Sequence, residues 1–166
     1  MDDEKYFTFT HNNMPRNDGF YTRNKENVPD NIKFKAKAKF EKKVLVWVTI
    51  SENGISEPVI RDSIGPAISA DVYQNECLPI VNDFINTYHS DNNYVFWPDL
   101  ASSHYAKTTQ EGLHDRGINF VPKSVNPPNV PKARPIQDFW GILASMVYAE
   151  GWEAKSTRSL KLRIKK

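Results

Sequence analysis

The 166-residue sequence has little of several features that would place it in well-defined protein classes. Its single cysteine, Cys77, excludes an internal disulfide and a cysteine-based zinc cluster, and we interpret it as a buried apolar helix residue. No run approaches the roughly 18 apolar residues of a membrane span, and no apolar signal region follows Met1, so we expect neither membrane insertion nor export. No P-loop, GxGxxG motif or Ser-His-Asp arrangement is present.

The composition is that of a folded protein. Hydrophobic residues make up 39% of the chain and aromatic residues 12%, which favours a globular structure over a disordered one. A chain of this length can bury one substantial core, and we expect a single domain spanning residues 1–166.

Basic residues are concentrated in two segments, although the net charge of +2 does not by itself indicate a nucleic-acid binder. Either segment could contact phosphates or could simply form a solvated face. They are residues 33–43, with Lys33, Lys35, Lys37, Lys39, Lys42 and Lys43, and residues 151–166, with Lys155, Arg158, Lys161, Arg163, Lys165 and Lys166.

The hydrophobic pattern predicts an α/β fold in which strands come first and then alternate with helices. Three strands joined by hairpins, followed by two crossover units, would form a mixed five-stranded sheet with helices packed on it. The predicted strands are 5–10, 44–50, 55–60, 94–97 and 118–121, and the predicted helices are 69–89, 102–116, 136–150 and 156–166.

The segment from Trp97 to Trp140 carries the strongest chemical signal. Asp99 follows a hydrophobic strand, a loop containing five prolines ends at Pro135, and a helix begins there. A carboxylate at the end of a central strand and an acidic position at a helix start can assemble a two-metal phosphoryl-transfer site, and Asp3 on the first strand could meet them. The position expected to be acidic, however, is Gln137.

These motifs together resemble the catalytic domain of mariner-type DDE transposases. The resemblance runs over segments 2–7, 42–60, 97–106 (WPDLASSHYA), 118–123, 126–136 and 138–140. It implies a ribonuclease H-like fold and an enzyme that cuts transposon ends and joins them to target DNA, using two divalent metals held by three carboxylates.

The resemblance assigns the site residues one by one. The first carboxylate falls on Asp3, with Asp2 the weaker choice, and the second falls on Asp99. The third falls on Gln137, after an interval of 37 residues that the family uses. An uncharged amide binds Mg²⁺ or Mn²⁺ less well than a carboxylate. Asp138 is a substitute ligand only if the helix starts later than predicted, because one helical residue is a rotation of ~100°.

The resemblance also carries expectations about the whole protein. We expect a domain truncated at both ends, without helix-turn-helix modules, that binds divalent metal weakly and has lost activity. Its partners would be DNA and a second copy of the chain, and its location nuclear. The alternative function is a non-catalytic, nucleic-acid-binding remnant of a transposable element. His104, five residues after Asp99, could approach the site or serve as a capping or packing residue.

Overall fold

The computed structural model describes residues 1–10, 21–29, 42–63, 68–128 and 130–166. The basic segment 33–43 therefore lies outside the described residues except for Lys42 and Lys43. None of the helices in the described part has the length and apolarity needed to cross a bilayer.

A four-stranded antiparallel sheet forms the centre of the molecule. The strands are β1 (Asp2–Thr8), β2 (Lys43–Ser51), β3 (Gly54–Ile55) and β4 (Val59–Asp62). The long strand β2 pairs with β1 on one side, from Asp2↔Thr49 to Thr8↔Lys43, and with β3 and β4 on the other. Its β-branched sequence, buried from Val44 to Thr49, is typical of a strand covered on both faces.

The prediction of five strands is wrong in number. Segments 94–97 and 118–121 meet only at a single parallel bridge between Phe96 and Phe120. The Phe96 N–H donates to the Asn119 carbonyl, and the Val121 N–H donates to the Phe96 carbonyl. Pro98 and Pro122 follow these segments, and proline has no N–H with which to extend a ladder. The predicted third strand is likewise divided into β3 and β4.

Helices cover both faces of the sheet. On one face lie α1 (Ala70–Val72), a π-helical turn (Tyr73–Cys77), α2 (Leu78–Tyr88) and α3 (Lys107–Asp115). On the other lie α4 (Ile136–Val147) and α5 (Thr157–Ile164). Short 3₁₀ turns occur at Lys25–Asn27, Pro131–Ala133 and Ala149–Gly151. The fold thus has three layers, helices–sheet–helices, which agrees with the predicted sheet with helices packed on it.

Local sequence signals set several helix ends where they were predicted. Ser69 accepts a hydrogen bond from the Val72 N–H as the N-cap of α1, and Gly117, with φ of +65°, follows the end of α3. The kink expected at Pro79 is a π-helical turn just before it. Helix α3 begins five residues later than predicted, because residues 102–106 form turns that bury His104 and Tyr105.

Two hydrophobic clusters hold the layers together, one on each face of the sheet. The cluster beneath α1–α3 includes Trp47, Tyr73, Cys77, Leu78 and Leu113. The cluster beneath α4 and α5 includes Phe7, Val46, Ile136, Trp140 and Leu160. Adjacent residues of β1 and β2 point alternately into these two clusters. A shift of register by one residue would therefore move the strand side chains of each cluster to the opposite face of the sheet.

We expect Leu160→Ala to destabilise the fold by about 2–5 kcal/mol, because the Leu160 side chain is fully buried on the inner face of α5 and its truncation leaves a cavity. Leu162→Ala on the same helix is the matched control: its side chain is 62% exposed, and the expected change is within about 0.5 kcal/mol. Urea unfolding of both variants measures the difference. Equal losses would show that α5 does not pack as described.

Candidate metal centre

Three carboxylates converge at one end of the sheet. One oxygen from each of Asp3, Glu4 and Asp99 lies within 4.8 Å of the others. Asp3 and Glu4 come from β1, whereas Asp99 lies just beyond the Phe96–Phe120 bridge. All three residues are half-buried. The cluster joins two of the residues that the resemblance assigned, Asp3 and Asp99, and adds Glu4.

Asp3 is held from the side of α4. Its Oδ2 accepts hydrogen bonds from Gln137 Nε2 at 2.7 Å and from Trp140 Nε1 at 3.0 Å. Both donors lie in the first half of α4, and Trp140 is buried in the cluster beneath that helix. The structure thus places Gln137 against Asp3 as a hydrogen-bond donor. Its amide nitrogen, and not an oxygen, faces the carboxylate.

Asp138 does not join this group. Its side chain is exposed, and it is absent from the acidic cluster found among the described residues. Helix α4 begins at Ile136, as the sequence predicted, so the later start that Asp138 would need does not occur.

Asp2 occupies a different environment from Asp3, because neighbouring residues of a strand face opposite sides. It is fully buried and accepts hydrogen bonds from Trp47 Nε1 at 3.2 Å, Tyr73 Oη at 2.6 Å and the Asp99 N–H at 3.1 Å. Its carboxylate is therefore engaged by donors of the protein, and Asp2 is not part of the acidic cluster. Sequence patterns gave no sign of this role.

His104 lies directly behind Asp99. Its ring is fully buried and packs on Tyr73 with the ring centroids 4.1 Å apart, and its Nδ1 is 3.1 Å from the Asp99 carbonyl oxygen. Two roles were considered for His104 from the sequence: packing or capping, and approach to the site. The structure shows a packing role, and the ring also contacts the backbone of Asp99.

A buried cation stands beside the carboxylates. Arg134, which precedes α4, is 8% exposed and donates from Nη2 to the Asp2 carbonyl at 3.0 Å. The same nitrogen is 3.9 Å from Asp99 Oδ1, and the guanidinium lies over the Trp97 ring. It partly offsets the negative charge of the cluster. Arg134 was not predicted from the sequence, in which its only signal was its place before Pro135.

Burial, and to a smaller extent the nearness of other acids, raises the pKa of two carboxyl groups. Burial is the main cause of the raised pKa of Asp3, and the charge of Asp99 adds to it. Burial also raises the pKa of Glu4, to about 7; His104 lowers it in part, and Asp3, Asp99 and Asp2 raise it. Each carboxylate thus loses some of its solvation and lies near other negative charges, a situation that a bound cation would relieve.

The donor set fits a hard divalent metal. Carboxylate oxygens are the ligands that Mg²⁺ and Mn²⁺ prefer, and the three groups are close enough to share one ion. In addition, Glu4 Oε2 is buried and has no hydrogen-bond partner within the described part of the chain. Buried oxygens without a partner are rare in proteins, so this atom is well suited to be a metal ligand.

Comparison with known proteins shows similarity at the level of three-dimensional structure. No protein-family model matches the chain, and no curated protein sequence is significantly similar to it. The Mos1 mariner paired-end complex with Mn has a TM-score of 0.71 and 19% identity, covering 99% of this chain and 46% of that one. The Mos1 complex with the left transposon end has a TM-score of 0.68 and 18% identity, covering 99% and 45%.

The catalytic domain of Mos1 mariner transposase alone has a TM-score of 0.56 and 18% identity, covering 75% of this chain and 60% of that one. The present chain thus spans about half the length of the Mos1 chains in the paired-end complexes. It has the ribonuclease H-like fold of the mariner transposase catalytic domain, which confirms the predicted fold class.

Raised carboxylate pKa values make the metal-free protein less stable as the pH rises. Between pH 4.5, the ordinary pKa of Glu, and about 7, the folded state binds the Glu4 proton more tightly than the unfolded state does, so the stability of the fold decreases with rising pH in that window.

In EDTA, we expect Glu4→Gln to reduce this dependence of stability on pH and to be more stable than the parent at pH 8. Urea unfolding from pH 5 to pH 8 tests this, with the exposed Asp138→Asn as control. A Glu4→Gln protein less stable than the parent at pH 8 would contradict it.

Proposed function

We propose that this chain is the catalytic domain of a mariner-type DDE transposase whose metal site is degenerate. The proposal is carried by one observation: Asp3 and Asp99, assigned by motif, bring carboxylate oxygens within 4.8 Å on the fold of the Mos1 catalytic domain. The reaction class would be metal-dependent cleavage and transfer of DNA strands. The domain would comprise residues 1–166.

Each residue of the site would have a separate role. Asp3 and Asp99 would hold Mg²⁺ or Mn²⁺, with Glu4 in reach of the same ion. When bound, the metal would supply Lewis-acid stabilisation of charge on the phosphate oxygens. Trp140 and Gln137 fix the Asp3 carboxylate through their hydrogen bonds to Oδ2. Arg134 remains as a fixed positive charge at 3.9 Å from Asp99.

The carboxyl-terminal basic segment supports DNA as the partner. Lys161 pairs with Asp62 at 3.0 Å, and Arg163 donates to the Val147 carbonyl. Four other cations in this segment are exposed and could contact backbone phosphates, in a manner sensitive to salt: Lys155, Arg158, Lys165 and Lys166. With transposon ends as the proposed substrate, we also propose a second copy of the chain as a partner and the nucleus as the location.

Gln137 is the observation that favours the alternative, a non-catalytic nucleic-acid-binding remnant. Its amide donates to Asp3 where a carboxylate ligand is expected, so the site lacks one negative charge. We therefore expect Mg²⁺ or Mn²⁺ to bind weakly unless Glu4 makes up for the missing charge. Glutamate at position 137 would restore the charge, but would also repel Asp3 whenever no cation lies between them.

We therefore expect Gln137→Glu to have opposite effects with and without metal. In EDTA it should lower the thermal stability, because two carboxylates then lie close together. With Mn²⁺ it should bind the ion more tightly than the parent and gain more thermal stability from it. Calorimetric titration and thermal unfolding measure the two effects, with Asp138→Asn as the control that changes neither. Equal Mn²⁺ affinities of parent and Gln137→Glu would show that position 137 does not contact the metal.

Cleavage of supercoiled plasmid tests activity directly. We expect the parent chain to nick DNA about 10²–10³-fold more slowly than Gln137→Glu in Mn²⁺, the usual effect of one electrostatic partner in a transition state. Asp99→Ala should abolish nicking in both backgrounds. Robust Mg²⁺-dependent nicking by the parent, lost in Asp99→Ala, would overturn the degenerate assignment. No nicking by either form would favour the non-catalytic alternative.

A further inference from the structure

We propose that Asp2, which is not itself a metal ligand, is a positioning residue that fixes the backbone of Asp99 and so sets the geometry of the metal centre. This inference rests on the proposed function, because it concerns the same site. It starts from a contrast between neighbours on β1: Asp3 faces α4 and the acidic cluster, whereas Asp2 faces the opposite side and is fully buried.

The two oxygens of Asp2 have separate tasks. Oδ2 accepts from Tyr73 Oη at 2.6 Å and from Trp47 Nε1 at 3.2 Å, which ties β1 to the π-helical turn and to β2. Oδ1 accepts from the Asp99 N–H at 3.1 Å. Hydrogen bonds to an ionised acceptor are stronger than neutral ones, and a buried carboxylate needs them to offset its lost solvation.

The segment that carries Asp99 has no strand pairing beyond Phe96, and side chains hold it instead: Asn126 donates to the Pro98 carbonyl at 2.9 Å and accepts from Trp97 Nε1 at 2.7 Å. It follows a single bridge at Phe96, and Pro98 cannot donate a backbone hydrogen bond. Asp2 Oδ1 holds the Asp99 N–H, and His104 Nδ1 lies against the Asp99 carbonyl. The backbone of Asp99 is thus held at both of its polar groups by buried side chains, and its carboxylate is left to face the cluster.

The main chain of Asp2 reinforces the same arrangement. Its carbonyl accepts from Arg134 Nη2, the nitrogen that is 3.9 Å from Asp99 Oδ1. Asp2 therefore contacts two groups that flank the Asp99 side chain: the Asp99 backbone and Arg134. Because Asp3 is the next residue on β1, any displacement of Asp2 would change the separation of the Asp3 and Asp99 carboxylates.

A carboxylate is the only side chain of this size that can accept all three hydrogen bonds. Asparagine has one acceptor oxygen, so in Asp2→Asn an amide that accepts from Tyr73 and Trp47 would turn its NH₂ group toward the Asp99 N–H, donor against donor. Asp2→Asn thus preserves size while it breaks the contact to Asp99. Tyr73→Phe is the matched control, because it removes one bond to Oδ2 and leaves the Oδ1 contact in place.

The experiment uses two measurements on the full chain: Mn²⁺ affinity by calorimetry and hydrogen exchange of the Asp99 amide by NMR without metal. We expect Asp2→Asn to weaken Mn²⁺ binding by about 10-fold or more, as loss of a residue that orients a metal ligand does. The Asp99 amide should exchange about tenfold faster, equivalent to about 1.4 kcal/mol.

Tyr73→Phe should lower the stability of the fold while it changes the Mn²⁺ affinity and the Asp99 amide exchange rate by less than about twofold. Asp2→Glu keeps the negative charge but displaces the carboxylate by one methylene. We therefore expect it to lower the Mn²⁺ affinity and to speed exchange of the Asp99 amide, as Asp2→Asn does.

Three results would overturn the inference. Equal weakening of Mn²⁺ binding by Asp2→Asn and Tyr73→Phe would show that Asp2 acts only through general stability. Unchanged exchange of the Asp99 amide in Asp2→Asn would show that the contact does not hold the backbone. Unchanged Mn²⁺ affinity in Asp2→Asn would show that the contact does not affect the site. If the parent binds no Mn²⁺, the proposed function fails, and amide exchange still decides whether Asp2 fixes Asp99.

Discussion

The antiparallel pairing of β1 with β2 is the constraint on which the site depends. The register from Asp2↔Thr49 to Thr8↔Lys43 sends successive side chains of β1 to opposite faces. Asp2 enters the layer of Trp47 and Tyr73, and Asp3 turns toward α4. One short run of acids thereby supplies both a buried structural carboxylate and a member of the acidic cluster. A slip of one residue would exchange the two.

The acidic cluster exists at an electrostatic cost that the surrounding residues only partly offset. Burial and mutual repulsion raise the pKa of Asp3 and raise that of Glu4 to about 7. Trp140 and Gln137 donate to Asp3, and Arg134 lies beside Asp99. These contacts hold the groups in place without a cation, but Glu4 Oε2 keeps no partner among the described residues. The arrangement therefore favours binding of a positive ion over a purely structural role.

The residue at position 137 separates the two interpretations of the protein. On a fold shared with the Mos1 catalytic domain, a carboxylate here would complete a set of three, whereas the amide donates a hydrogen bond to Asp3 and adds no charge. Glu4 contributes a third carboxylate from a different direction. Whether that contribution compensates for the missing charge is a question of metal affinity, because the fold itself is the same in either case.

Several helix ends could be predicted from the sequence, because capping and helix-breaking residues act on the backbone next to them. Ser69 caps a helix, Gly117 ends one in the left-handed region, and Pro135 precedes the start of α4, each because of its own backbone or side-chain chemistry. The continuous apolar, β-branched run of β2 likewise predicted a buried strand from its own residues. The first strand was predicted to begin at Lys5, where the alternation of polar and apolar residues begins, and its true start at Asp2 depends on pairing with β2.

The family resemblance carried by the sequence motifs assigned Asp3, Asp99 and Gln137 to one site. The structure brings the carboxylates of Asp3 and Asp99 together and joins Gln137 to Asp3. Only the tertiary structure decided what surrounds them. The partners of Asp2 lie 45, 71 and 97 residues away, and Arg134 is 132 residues away, distances at which no periodicity or spacing gives a signal. Hydrogen bonds and burial of this kind arise only when the layers have packed. The same packing, and no local pattern, brought Glu4 close to Asp99.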